Sequence, residues 1–166
     1  MNEQKHVILY TDGACIGNPG AGGYGVILKY KDNRRELIGG YRLTTNNRME
    51  LMAAIVGLRA LKEKCKVTLY SDSEYLVKAM SKGWPEKWRA NGWRRGKKQK
   101  ALNPDLWEEL LRLCELHDVE FKWVKGHEGN AENERCDHLA MWAAQKPNLP
   151  VDFIYEKTSN PNFVTK

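Results

Sequence analysis

The chain has only four cysteines in 166 residues, Cys15, Cys65, Cys114 and Cys136, and none sits in a Cys-x-x-Cys pair. No histidine–cysteine cluster has zinc spacing, so a disulfide framework and a structural zinc site are both excluded. The thiols read as small apolar filler. Long hydrophobic runs are missing too. Mean hydropathy is −0.65, and no apolar stretch approaches the roughly 20 residues that cross a bilayer. The opening MNEQKHVILYTDG carries too short an apolar stretch for a signal peptide, and an aspartate closes it. A cytoplasmic protein is expected. There is no Gly-Lys-Ser/Thr step, and the glycine-rich loop at residues 17–23 leads into a strand pattern rather than a helix. That excludes a P-loop or dinucleotide cradle, which needs a helix N-terminus directly after the loop. No repeat or linker divides the chain, so one domain is expected, long enough to bury a core unaided.

Positive charge is plentiful and unevenly placed. The net charge is +6, yet residues 78–100 alone carry nine basic residues against one acid, Glu86. The rest of the chain is therefore slightly acidic. One basic segment on a near-neutral body is the footprint of a polyanion site. The same segment, KGWPEKWRANGWRRGKKQK, interleaves Trp84, Trp88 and Trp93 with the cations. It reads either as a solvated surface around a buried tryptophan or as a small helix-and-loop projection that offers cations to phosphates without reading base sequence.

The apolar patterns order the elements. VILYTD, YGVILKY and ELIGGYRL read as three strands joined by short loops, hence an antiparallel meander. TTNNRMELMAAIVGLRALKEKC is a helix apolar over so much of its circumference that it belongs in the core. KVTLYSD is a fourth strand, followed by a helix with Ser73 as N-cap. Asn103-Pro104 supplies an N-cap and first-turn proline to DLWEELLRLCEL. VEFKWV is a fifth strand, and AENERCDHLAMWAAQK is a last helix, halted by Pro147. Residues 147–166 are expected to be a loosely attached tail. This order implies a mixed α/β sheet, a meander followed by parallel strands.

Four acids stand where carboxylates can converge. Asp12 and Asp72 end strands that, if parallel neighbours, open onto one sheet edge, where ligands of such sheets bind. Glu50 lies early in the central helix, and Asp137 within the last one. Each has an alternative: Asp12-Gly13 as a hairpin turn, Glu50 as a capping-box partner of Asn47, Asp72 as a helix cap, Asp137 as a surface acid near Arg135. Together they suit a hard cation such as Mg²⁺ or Mn²⁺, and a pair of such ions can activate water and stabilise the leaving oxygen of a phosphodiester. His127, in the polar loop KGHEGNAEN, is either solvated or suited to proton transfer or product release near such a centre.

YTDGACIGNPGAGGYGVIL, TTNNRMELMAAIVGL, SDSEYL, WVKGHEGNAENERCDHLA and the basic tryptophan-rich segment together resemble bacterial type 1 ribonuclease H, in order over about residues 7–145. The resemblance implies a ribonuclease-H-like five-stranded mixed sheet flanked by helices. It also implies a catalytic domain over residues 1–146, with a basic protrusion at about 82–102. The implied activity is endonucleolytic cleavage of the RNA strand of RNA–DNA hybrids, leaving 5′-phosphate and 3′-hydroxyl ends. The implied metal ligands are Asp12, Glu50, Asp72 and Asp137, holding two Mg²⁺ ions for which Mn²⁺ can substitute, with His127 on a mobile loop. Cys15, Asn18, Asn46 and Asn47 fall where the family touches the hybrid's minor groove, and Thr45 matches a DNA-phosphate contact. Trp84, Lys87, Trp88, Lys97 and Lys98 fall in the protrusion that grips the DNA strand. Glu74 departs from the glutamine frequent in the family, and a carboxylate there disfavours nearby phosphate. A monomer without an obligate protein partner is expected. The alternative is a non-catalytic nucleic-acid-binding domain that uses the basic segment alone.

Overall fold

The computed structural model describes residues 4–126 and 129–163. Its first three strands, β1 (Lys5–Ile16), β2 (Gly20–Tyr30) and β3 (Asn33–Thr44), form the expected antiparallel meander. They run longer than the apolar patterns alone indicate. Asp12-Gly13 therefore lies inside β1, paired with Gly25 and Tyr24, and is not a turn. The turn falls instead at Gly17, which takes φ +69°, and the cis Asn18–Pro19 bond. Helix α1 (Asn46–Arg59) then leads to β4 (Cys65–Ser71), and α2 (Glu74–Lys82), α3 (Trp84–Ala90) and α4 (Pro104–Leu116) precede β5 (Asp118–Trp123). Strands β4 and β5 join the sheet in parallel, giving the order β3-β2-β1-β4-β5. Helices α5 (Ala131–Ala144) and α6 (Phe153–Ser159) complete the described chain.

Alternation along the strands assigns each helix to a face. Leu9 of β1 and Val26 of β2 meet Gly57 of α1, whereas Gly25 meets α5 on the other face. A Cβ on Gly25 would lie 2.6 Å from the Cys136 carbonyl oxygen, so glycine is what lets α5 settle onto the sheet. On the α1 face Leu9, Val26, Leu51, Ile55, Leu58, Val67, Leu69, Leu110 and Trp107 are fully buried. Each such Leu or Ile contributes on the order of 1.5–3 kcal/mol by leaving water. Helix α1 buries residues on nearly every side, as its composition indicates.

Two expectations are corrected by side-chain contacts. Asn103 does precede α4, but it takes a left-handed conformation (φ 59°) and makes no capping bond. Its amide is engaged by Arg48 and Tyr75 instead. The expected loose attachment of the tail does not hold for its described part around residues 150–156. The Arg42 N–H donates to the Pro150 carbonyl at 2.9 Å, Arg42 pairs with Glu156, and Asp152 is buried against Thr44 and Arg48 while its carboxylate caps α6. Polar side chains hold this tail, which an apolar pattern does not reveal.

Candidate active site

Parallel pairing of β1 with β4 ends with Thr11 opposite Ser71, so Asp12, still within β1, and Asp72, just past β4, stand side by side where the two strands part. Glu50 reaches that point from α1. Ligand oxygens of Asp12, Glu50 and Asp72 lie within 4.8 Å of one another. Asp137 joins them from α5 in lining one open cleft of about 350 Å³, with Gly13, Ala14, Asn46 and Ser73. The four acids expected to converge thus share a cleft, and three form its tight cluster.

Gly13 is what brings α1 this close. Its missing side chain would occupy the backbone of Met49 and Glu50, so any Cβ would force α1 off β1. Its N–H also donates to Asp12 Oδ1 at 3.0 Å and to Glu50 Oε1, bridging the two carboxylates. Glu50 is therefore not a capping-box residue; the N-cap is Thr45, whose Oγ1 accepts from the Arg48 N–H. Ser73 caps α2 as expected, accepting from the Leu76 N–H at 3.1 Å. In the sequence Gly13 reads as half of a turn dipeptide, and only the helix above it discloses its role.

Electrostatics set the character of the cluster. Burial, followed by the Glu50 and Asp72 carboxylates, pushes the Asp12 pKa up. Burial is also the largest cause of the upward shift at Glu50, with Asp72 adding to it, opposed in part by hydrogen bonds with Asp12 first and then Gly13 and Ser73. Both acids resist ionising together. A hard divalent cation between them reverses that cost, and an all-carboxylate donor set suits Mg²⁺, Mn²⁺ or Ca²⁺ rather than a soft metal. The residues fit such an ion.

The other expected positions lie on the glycine turn, the start of α1, α3 and the basic segment after it. Asn18, in the turn, accepts from the Asn46 N–H at 3.0 Å, tying the glycine loop to the exposed start of α1, where Asn47 follows. Cys15 is half-buried beside Gly22. Lys87, Lys97 and Lys98 are exposed, as is Trp84, with Lys82 Nζ 5.2 Å from its ring centre. Trp88 differs: it packs edge-on against buried Trp107 at 5.9 Å and anchors α3. Beyond α3 the basic run folds into a hairpin, closed by the Arg94–Lys100 bridge and by the Ala101 N–H donating to Trp93 O at 2.8 Å. The loop entering His127 passes close to Asp72 at Gly126, but His127 itself lies outside the described residues. Arg48 and Asp152, joined by two hydrogen bonds at 2.8 and 3.0 Å, are not singled out by the sequence. Nothing in the local pattern relates residues 104 apart.

The comparisons agree with this geometry. A sequence model described as RNase H matches residues 4–145. A Ribonuclease H of Desulforamulus reducens is 67% identical over 148 residues, covering 89% of this chain and 93% of its own. One from Rippkaea orientalis is 64% identical over 157 residues, covering 94% and 96%. The crystal structure of LC9-RNase H1, a type 1 RNase H with the type 2 active-site motif, is similar with a TM-score of 0.78 at 34% identity, covering 96% of this chain and 82% of that one.

Proposed function

The chain belongs to the ribonuclease H family, and on that premise we propose that it is an endoribonuclease that hydrolyses the RNA strand of RNA–DNA hybrids, working as a cytoplasmic monomer. The observation that carries this reading is the convergence of Asp12, Glu50 and Asp72, with Asp137 in the same cleft, in a chain that also carries an exposed basic hairpin. Four acids next to a polyanion site are unfavourable unless a cation is held there.

Asp12, Glu50, Asp72 and Asp137 hold the divalent cation, Mg²⁺ being the expected ion and two the expected number. Bound there, the metal supplies an activated water and stabilises the leaving oxygen of the phosphodiester. The chain's own groups do the rest. The Gly13 N–H fixes the Asp12 and Glu50 carboxylates in mutual orientation before any ion arrives, so little is left to order. Attack of water at phosphorus breaks the bond to the ribose 3′ oxygen, which leaves a 5′-phosphate and a 3′-hydroxyl. His127 serves proton transfer or product release.

Recognition divides between two surfaces. Cys15, Asn18, Asn46 and Asn47 offer small polar groups to a wide, shallow minor groove, where 2′-hydroxyls mark the RNA strand. Thr45, Trp84, Lys87, Lys97 and Lys98 hold the DNA strand through its phosphates, and Trp88 secures α3, which carries Trp84 and Lys87.

The test is cleavage of end-labelled single strands, homoduplexes and a hybrid, with and without Mg²⁺. RNA cut only in the hybrid, with loss on chelation and in Asp12→Asn, supports the reading. Hybrid binding with no cleavage under any condition supports the non-catalytic alternative.

A further inference from the structure

Arg48 is buried, with 3% of its surface exposed, yet it projects from the first turn of α1, directly after Asn46 and Asn47. Its guanidinium has five N–H groups, and all five are engaged. Nε donates to Asp152 Oδ2 at 2.8 Å. Nη2 donates to Asp152 Oδ1 at 3.0 Å and Asp105 Oδ2 at 2.7 Å. Nη1 donates to Asp105 Oδ1 at 2.9 Å and to Asn103 Oδ1 at 3.3 Å. Two carboxylates are thus held by paired bonds from one planar group, which a lysine with its single ammonium cannot reproduce.

The partners come from two separate parts of the chain, the start of α4 and the segment before α6. Asn103 and Asp105 follow within a few residues of Ala101, where the basic hairpin closes. Asn103 also donates to the Tyr75 hydroxyl, which accepts from Trp107, and Trp107 supports Trp88 of α3. Asp152, fixed in addition by Thr44 at 2.7 Å, braces the guanidinium from behind. One side chain therefore joins the Asn46–Asn47 end of α1 to the root of the hairpin.

A hybrid duplex is a stiff ligand that must meet the α1 turn and the hairpin together. Such two-point binding depends on the spacing of the points as much as on the contacts, because a loosened spacing lowers the effective concentration of the second contact. We propose that Arg48 is a positioning residue for hybrid binding, setting the distance between the Asn46–Asn47 turn and the hairpin cations Lys97 and Lys98. The inference rests on the ribonuclease reading above and assigns no chemistry to Arg48.

The experiment compares the full-length protein with Arg48→Lys, with the double variant Lys97→Ala/Lys98→Ala, and with all three changes combined. Hybrid affinity is read by fluorescence anisotropy without divalent cation, and KM and kcat with Mg²⁺. Arg48→Lys is expected to raise Kd and KM about tenfold, a loss within the range that effective concentration controls, with kcat unchanged within about twofold. In the Lys97→Ala/Lys98→Ala background its effect on Kd should shrink to about twofold, since one of the two points is already gone. Equal effects in both backgrounds, or a fall in kcat at constant KM, overturn the proposal, because a merely structural role predicts one or the other. Should Arg48→Lys not fold, Asp152→Asn weakens the brace while leaving the Arg48–Asp105 pair in place, and is held to the same split. If the wild type binds hybrid but does not cut it, the ribonuclease reading fails while the Kd coupling still decides the role of Arg48.

Discussion

Two buried polar clusters grow from the first turns of α1, two residues apart, and they solve the same electrostatic problem in opposite ways. Around Arg48, the carboxylates of Asp105 and Asp152 surround a guanidinium whose charge burial opposes but their hydrogen bonds sustain, so its pKa is raised. Around Glu50, the carboxylates of Asp12 and Asp72 face another acid. The first cluster carries its cation in the sequence. The second leaves that place to an ion from solution, and so couples the geometry of the sheet edge to something that can bind and act. A site made self-sufficient in charge is structural; one left deficient is available for chemistry.

The largest effect that tests this contrast is on rate. Asp12→Asn should lower kcat on hybrid at least about a thousandfold, because it removes the carboxylate shared by the cluster. Cleavage assays under single-turnover conditions measure it, and near-normal turnover would take catalysis out of this cleft. The next effect is on stability. Arg48→Met should cost about 3–5 kcal/mol in urea unfolding, since Asp152 is left buried, and Asp105 half-buried, without their partner. A cost below about 1 kcal/mol would mean that the two clusters do not differ as described.

The third effect has the opposite sign. Asp12 and Glu50 titrate higher in the folded protein than in an unfolded chain, so the folded form keeps protons that the unfolded form has lost. Metal-free stability therefore falls as pH rises from about 4, where the unfolded carboxyls titrate, into the neutral range. In EDTA at neutral pH, Asp12→Asn should stabilise the protein by about 1–3 kcal/mol, the scale of one or two pKa units. It should also flatten that pH dependence, and Mg²⁺ should stabilise the wild type more than the variant. Urea midpoints across pH 5–8 check all three, and a destabilised variant would contradict the repulsion. The smallest effect concerns Glu74, which is exposed beside the cleft and paired only with Lys78 at 3.2 Å among the ion pairs described. Glu74→Gln should tighten hybrid binding about twofold at low salt, because a screened surface charge acts weakly. Unchanged or weaker binding would remove Glu74 from the recognition surface.

What could be read from the sequence follows the range of the interactions. Strand alternation and the apolar girth of α1 are local, and from them the meander, the parallel β1–β4 step and the common edge of Asp12 and Asp72 were legible. Capping at Ser73 was legible for the same reason, being decided within three residues. Asn103 looks like a cap only until Arg48 and Tyr75 compete for its amide. Gly13 looks like a turn until α1 is laid across it. Trp88 shows its packing role only once Trp107 is laid against its edge. Helix α6 carries too few apolar residues for its pattern to show docking, which depends on Asp152 and Glu156 finding arginines more than a hundred positions earlier.

That separation has a consequence for how the chain is made. Synthesis runs from the N-terminus at roughly 5–20 residues per second, so Arg48 leaves the ribosome roughly 5–20 seconds before Asp152. During that interval a nascent chain already holds the strands of the meander and all of α1, yet one of the two carboxylates that enclose its buried guanidinium does not exist. The bond that braces the start of α1 is a late event in the life of each molecule, and it is made by a segment that the sheet itself does not need for its strands to pair.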